Sequence, residues 1–223
     1  TGGSDVDCDQ GDDSNAFENG YNITAGGTYR NADDFFVSAG NTLNVQQIEL
    51  NIMASGPVST MDFIFYEDNG SGAPSATIVE TLTNVSVESV AIGSQFGYTV
   101  YGVFVDVDLS FTEGAYWMQP VAHVGTAFWE TTSAGTLGQY IHTSESNGPW
   151  VADEDMSHGV FKLHCEPVDI PEEQCLLGFD YVEAITRVIV ADIDNTSPAV
   201  STIELEDFTS IEGHVAAGES YPI

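Results

Sequence analysis

The stretch YTVYGVFVDVDL, from Tyr98 to Leu109, decides the fold class of this 223-residue chain. The three valines that follow Gly102 fall on one face of an extended strand, whereas Asp106 and Asp108 fall on the other. This period-2 alternation is typical of a strand with one buried face and one exposed face. No part of the chain combines a 3.6-residue apolar stripe with helix caps, so we predict no helices.

Short β-type runs flank this strand on both sides and are separated by turns rich in Gly, Asn and Ser. They cover residues 42–54, 61–66, 77–82, 85–92, 115–124, 127–131, 139–143 and 159–165. In the first run the alternation changes phase at Gln46 and Gln47, which predicts a β-bulge. Many short strands joined by such turns predict an all-β fold built as an antiparallel β-sandwich.

The charge balance narrows the class of partner. The chain has 35 Asp and Glu against 3 Lys and Arg, a formal net charge of -32, although only 17% of its residues are charged. Without a basic surface it does not bind nucleic acid, and it has no attraction to anionic lipids. No apolar run reaches the roughly 20 residues of a membrane-spanning helix, so we expect no direct membrane insertion. Since 42% of the residues are hydrophobic, an ordered acidic protein is expected.

The composition changes near residue 168. Residues 1–168 contain the strand-rich sandwich, residues 169–175 form an acidic linker with Pro171, and residues 176–223 begin a second β unit. About fifty residues are too few for a stable β core alone. We therefore expect a truncated second sandwich, completed by further residues of the same polypeptide or by a neighbouring chain that adds a strand near Tyr221.

The three cysteines leave two pairings open. A Cys8–Cys165 disulfide would join the first and last strands of the sandwich, and Cys165–Cys175 is the competing pairing. Either pairing leaves one cysteine over. Disulfides form in oxidising compartments, so a bridge would place the protein outside the cytoplasm.

Two groups of motifs carry a family resemblance. The first contains YRNADDFFV (residues 29–37), GNT (40–42), FYEDNG (65–70) and GAYW (114–117), and it resembles the "ADDF" jelly-roll module of secreted proteins from Bacteroidetes-type bacteria. The second contains AITRV (184–188), IDNTS (193–197), EDFTS (206–210) and GESYPI (218–223), and it resembles the opening of a GEVED domain. The resemblance implies a jelly roll followed by part of a GEVED sandwich, in a multidomain cell-surface or secreted protein exported by type IX secretion.

Calcium is the cofactor that the acidic motifs predict. Asp5, Asp7 and Asp9 have a spacing that places carboxylates on one side of a tight loop, as Ca²⁺ requires. Asp33 and Asp34 stand just before a strand, where adjacent acids can share a calcium ion with backbone carbonyls. The alternatives are a solvated acidic tail for the first group and ordinary turn chemistry for the second.

Aromatic residues give a second candidate site. Trp129, Tyr140 and Trp150 lie outside the strongest core runs, and each has polar neighbours such as Glu130 and Asp153. Carbohydrate-binding modules stack sugar rings on such side chains, while carboxylates and amides bind the hydroxyls. The alternative is that the two tryptophans pack over the edge of the sandwich.

No catalytic motif stands out, since the five histidines are dispersed and neither H-E-x-x-H nor G-x-S-x-G occurs. We therefore expect a non-enzymatic extracellular module that serves in adhesion or structural display, with a surface glycan or a protein as partner. One alternative is a carbohydrate-binding accessory domain of a secreted hydrolase. The other is a subunit or cargo of an extracellular or secretion assembly.

Overall fold

The computed structural model describes residues 10–135 and 138–166. The chain divides into two units, Thr1–Pro171 and Glu172–Ile223, and every described residue belongs to the first. The predicted linker (169–175), the predicted second sandwich (176–223) and its edge at Tyr221 lie outside the described residues. These three remain predictions.

The described residues form an all-β antiparallel fold without helices, as predicted. The strands are β1 (Gln10–Gly11), β2 (Asn19–Asn22), β3 (Tyr29–Ala54), β4 (Thr60–Asp68), β5 (Pro74–Ser86), β6 (Glu88–Gln95), β7 (Tyr98–Ala122), β8 (Ala127–Thr132), β9 (His142–Glu145), β10 (Val151–Ala152), β11 (His158–Gly159) and β12 (Phe161–His164). The order β1-β12-β3-β7-β4-β5 forms the main path of the sheet, and the other strands branch from it.

Two long strands, β3 and β7, organise the sheet by pairing along most of their lengths. The sequence predicted shorter strands here, because the turn-like residues around Gly40 and Gly114 interrupt the alternation. Both glycines have a positive φ, and the β3–β7 register shifts beside them, between Val37 and Thr42. The chain bends at this point and continues as a strand.

The predicted bulge at Gln46 and Gln47 is confirmed, because the β3–β7 register also shifts between Val45 and Gln47. The bulge changes which β3 side chains face inward: Leu43 and Val45 precede it, and Ile48 and Leu50 follow it, all in the same core. Sequence phase alone was therefore sufficient to locate the bulge.

One continuous apolar core lies on the inner face of the sheet. It combines side chains of β3, β4, β7, β8 and β12, including a cluster in which Phe35 packs against Phe65, Phe111 and Tyr116. The outer face carries two smaller clusters. One contains Phe17, Met53 and Val100, and the other contains Ala32, Tyr66 and Trp117.

Candidate functional site

Asp33 is a carboxylate buried inside the sandwich. Its side chain is 0% exposed, and it accepts hydrogen bonds from the Asp34 amide (2.9 Å) and the Gly159 amide (2.5 Å). Burial raises the pKa of Asp33 well above its usual value, and the charge of Asp34 raises it further. The backbone can approach this closely only at a glycine, because a Cβ on Gly159 would lie 2.3 Å from the Trp129 ring.

Asp34 is the next residue of β3, so its side chain leaves the opposite face of the strand. Its Oδ1 accepts a hydrogen bond from the Gln139 amide at 2.9 Å, which ties the connection after β8 to the sheet. Burial raises the pKa of Asp34 to about 6, although the hydrogen bond from Gln139 acts in the other direction. Asp33 thus binds β11 and Asp34 binds the segment between β8 and β9, from the two faces of one strand.

The expectation that these two acids stand just before a strand is wrong, since both lie within β3. In residues 10–135 and 138–166 there is no group of three or more His, Cys, Asp or Glu side chains that could hold a metal ion. Asp5, Asp7 and Asp9 lie outside these residues, so calcium binding there stays a prediction.

A histidine and an aspartate lie beside Asp33. The His158 Nδ1 is 3.8 Å from the Asp12 Oδ2, and both side chains are buried. Burial lowers the pKa of His158, while the charge of Asp12 opposes this shift. Tyr140 packs edge-on against the His158 ring, with 5.2 Å between ring centroids.

Glu130 is a buried carboxylate that sequence reasoning did not single out as a site. Its two oxygens accept hydrogen bonds from the Ser14 hydroxyl, the Asn15 and Phe17 amides and the Asn51 side-chain amide, at 2.7–3.0 Å. The side chain is 0% exposed. Since residues 14–17 are more than a hundred positions away along the chain, no local pattern could have identified these partners.

The aromatic candidates separate into three different environments. Trp129 is 0% exposed, and its indole N–H donates to the Val160 carbonyl at 2.8 Å, so its proposed role in a sugar-stacking platform is wrong. Trp129 has the same period-2 phase in β8 as Ala127, and this phase already indicated an inward-facing side chain. Tyr140 is 41% exposed beside His158, and Trp150 is half-buried.

Trp150 belongs to a polar and aromatic cluster on the outer face. Arg30 lies over its ring at 4.7 Å, and Tyr66 meets it edge-on at 5.7 Å. Arg30 also donates to the Ser144 hydroxyl at 2.7 Å, and Tyr66 donates to the Gln119 side chain at 2.7 Å. These contacts hold Trp150 and the segment between β9 and β10 in place.

The same cluster continues at Trp117, whose indole N–H donates to Asp68 at 3.0 Å. The His142 ring meets Trp117 edge-on, with 4.7 Å between the centroids. Burial lowers the pKa of His142, which favours the neutral ring at this position.

A groove of about 610 Å³ lies beside this cluster. Its aromatic residues are Tyr21 and Tyr29, and its acids include Glu145 and Asp153. The Tyr21 hydroxyl donates to Asp153, and burial together with this bond raises the pKa of Tyr21. Tyr29 is 49% exposed, so it offers a ring to a ligand.

Of the predicted disulfide, only Cys165 lies within the described residues. It is half-buried and packs against the inner core. Cys8 and Cys175 lie outside the described residues, so the choice between the two pairings stays open here.

Comparison of the chain with protein-family models, curated proteins and solved structures found no match. The "ADDF" and GEVED resemblances therefore remain expectations from the sequence motifs. Among the described residues, no helix is long and apolar enough to cross a membrane.

Proposed function

We propose that this chain is a non-catalytic module of a larger extracellular protein, which serves in adhesion or structural display. The proposal keeps the resemblance to secreted Bacteroidetes-type surface proteins and to cargo of type IX secretion. A surface glycan or another protein is the partner, and further domains or neighbouring chains complete the molecule.

This proposal rests on one observation: buried carboxylates bind the backbone amides of distant segments. Glu130 holds residues 14–17, Asp33 holds Gly159, and Asp34 holds Gln139, in each case through backbone amides. Carboxylates bound in this way fix loop positions on the sheet. A scaffold whose connections are fixed is suited to presenting a surface without moving.

Attachment of coated particles tests the proposal directly. Beads that carry the full chain should adhere to cells or to an array of glycans and extracellular proteins, and beads that carry a charge-matched acidic protein should not. The same preparation is incubated with a panel of polysaccharide, peptide and ester substrates. Specific turnover of any of these would refute the non-catalytic role.

A disulfide between Cys8 and Cys165 is part of this proposal. β1 pairs with β12 so that Gln10 faces Leu163 and Gly11 faces Lys162. In the sequence, Cys8 stands two residues before β1 and Cys165 directly follows β12, and this order favours a Cys8–Cys165 bridge. A non-reduced peptide digest analysed by mass spectrometry should contain the Cys8–Cys165 peptide, and a Cys165–Cys175 peptide would contradict the proposal.

Calcium binding also remains proposed, by Asp5, Asp7 and Asp9 and by Asp33 and Asp34. A bound ion would stabilise the folded chain by mass action. Melting temperatures measured with added Ca²⁺ and with a chelator should then differ, and identical values would refute a structural ion.

The groove beside Tyr29 favours a second function, that of a carbohydrate-binding accessory domain. An exposed tyrosine ring next to carboxylates offers both a stacking face and acceptors for sugar hydroxyls. Affinity electrophoresis on polysaccharides is the test. Retention should fall on Tyr29→Ala and persist on Tyr140→Ala, which removes a similarly exposed ring outside the groove. Equal retention by both variants would refute this function.

A further inference from the structure

The β6–β7 hairpin turns through two residues, Phe96 and Gly97, with φ of +51° and +83°. Two positive φ angles are typical of a type I′ turn, whose first position favours Asn, Asp or Gly. Phenylalanine is strained there, because a bulky side chain disfavours the left-handed region. Local turn chemistry therefore does not account for Phe96.

Solvent exposure gives a second reason to ask what Phe96 does. Its side chain is 65% exposed, and Ile92 on the same hairpin is 54% exposed. β6 pairs only with β7 in the part of the chain that the structure describes, so its other edge faces away from the sheet. We call Ile92, Phe96 and the β6 residues between them the hairpin patch.

The hairpin patch is also free of charge. The 17 residues from Ser89 to Val105 contain no Asp, Glu, Lys or Arg, and this is the longest such run in a chain with a net charge of -32. Glu88 and Asp106 are the acids on either side of it. Two exposed apolar side chains, Ile92 and Phe96, therefore lie in an uncharged segment of an otherwise acidic chain.

We propose that the hairpin patch is a contact surface for a second copy of this chain. Two copies that each carry -32 repel one another, and they approach with least repulsion where neither contributes a carboxylate. A two-fold contact needs one patch that matches itself, and an uncharged surface with exposed apolar side chains can do so. A basic partner would instead be drawn to the acidic surfaces elsewhere.

Two physical consequences define this contact. The patch is small, so the association is weak and depends on concentration, as for other contacts below the standard interface size. Salt strengthens it, because screening weakens the repulsion between the two acidic chains while apolar contacts persist. A contact made by ion pairs would respond to salt in the opposite direction.

Sedimentation velocity on the full chain, over a range of concentrations at low and high NaCl, tests the proposal. We expect a reversible monomer–dimer equilibrium that shifts towards dimer with added salt. Phe96→Asn, which places a favoured residue in the turn, should weaken the association constant at least about tenfold while the chain stays folded. Ile92→Ser should also weaken it.

Ile78→Ser is the matched control, since Ile78 is 55% exposed but lies on β5. Association that is equally weakened by Ile78→Ser would refute the hairpin patch as the contact. A full chain that remains monomeric at all concentrations and salt levels would refute it as well.

Discussion

Two phenylalanines of this chain adopt the same unfavourable backbone conformation in opposite surroundings. Phe17 has a φ of +58° and is 1% exposed, whereas Phe96 has a φ of +51° and is 65% exposed. The Phe17 amide donates to Glu130 at 2.7 Å, and its ring packs with Met53 and Val100. Phe96 stands at the tip of a hairpin instead.

The comparison separates backbone strain that is offset by contacts within the chain from backbone strain that is not. At Phe17 the burial of an aromatic ring and a charge-assisted hydrogen bond together exceed the roughly 1–3 kcal/mol that such a conformation costs. At Phe96 the described residues provide no comparable burial. A residue that is both strained and exposed is therefore a candidate for contact with another molecule.

The largest effect is expected from changing Glu130, which accepts the hydrogen bond from the Phe17 amide. Glu130→Ala leaves the buried amide of Phe17 and the half-buried amide of Asn15 without their acceptor, and we expect the free energy of unfolding to fall by about 3–4 kcal/mol. Urea denaturation measures this. Glu130→Gln keeps one acceptor oxygen and should lose about half as much.

The control for this change is Glu154→Ala, which removes one carboxylate from an exposed position. It should change the free energy of unfolding by less than about 0.5 kcal/mol. A similar loss in both variants would mean that net charge, and not the Glu130 bonds, determines the effect.

Changing Phe17 itself separates strain from burial. Asn tolerates a positive φ, so Phe17→Asn relieves the strain but removes the buried ring. Loss of burial should dominate and lower the free energy of unfolding by about 2–3 kcal/mol in urea denaturation. An unchanged or increased stability would mean that the packing with Met53 and Val100 contributes little.

A smaller effect on stability is expected at Asp34, a second carboxylate that binds a backbone amide. The pKa of Asp34 rises from 3.8 to about 6 in the folded chain, so the folded state binds a proton more tightly than the unfolded state does. Its contribution to stability is fully present below about pH 4 and is lost as the pH rises through about 6, a loss on the order of 3 kcal/mol.

Asp34→Asn keeps an acceptor for the Gln139 amide and cannot ionise. Stability curves from pH 3 to 8 for the two proteins should therefore diverge between pH 4 and 6, with the variant the more stable at neutral pH. Asp108→Asn, an exposed carboxylate of β7, controls for the loss of one charge. Parallel curves for the parent and Asp34→Asn would show that Asp34 does not titrate in this range.

The fold class and the bulge could be predicted from sequence because both depend on the local alternation of apolar and polar residues. The alternation from Tyr98 to Leu109 marks an exposed and a buried face, and the phase change at Gln46 marks the bulge. The same signal did not show that β3 and β7 continue through Gly40 and Gly114, because strand continuity there depends on pairing between distant segments.

The candidate site was harder to predict, because carboxylates acquire their roles from the residues that cover them. Asp33 and Asp34 were identified as unusual, but their partners Gly159 and Gln139 lie more than a hundred residues away. Glu130 sits on the exposed-type phase of β8 and becomes buried only because residues 14–17 cross it. Spacing between neighbouring acids contains no information about such contacts.

The smallest expected effect has the opposite sign and tests Phe96 within a single chain. Phe96→Asn puts a favoured residue in the first position of the type I′ turn and removes an exposed ring, so stability should rise by about 0.5–1 kcal/mol. The measurement is thermal melting at a protein concentration low enough to keep the chain monomeric. Phe17→Asn makes the same substitution at a similar φ and should lower the melting temperature. If Phe96→Asn also lowers it, the ring of Phe96 makes stabilising contacts within its own chain, and the contrast between the two phenylalanines fails.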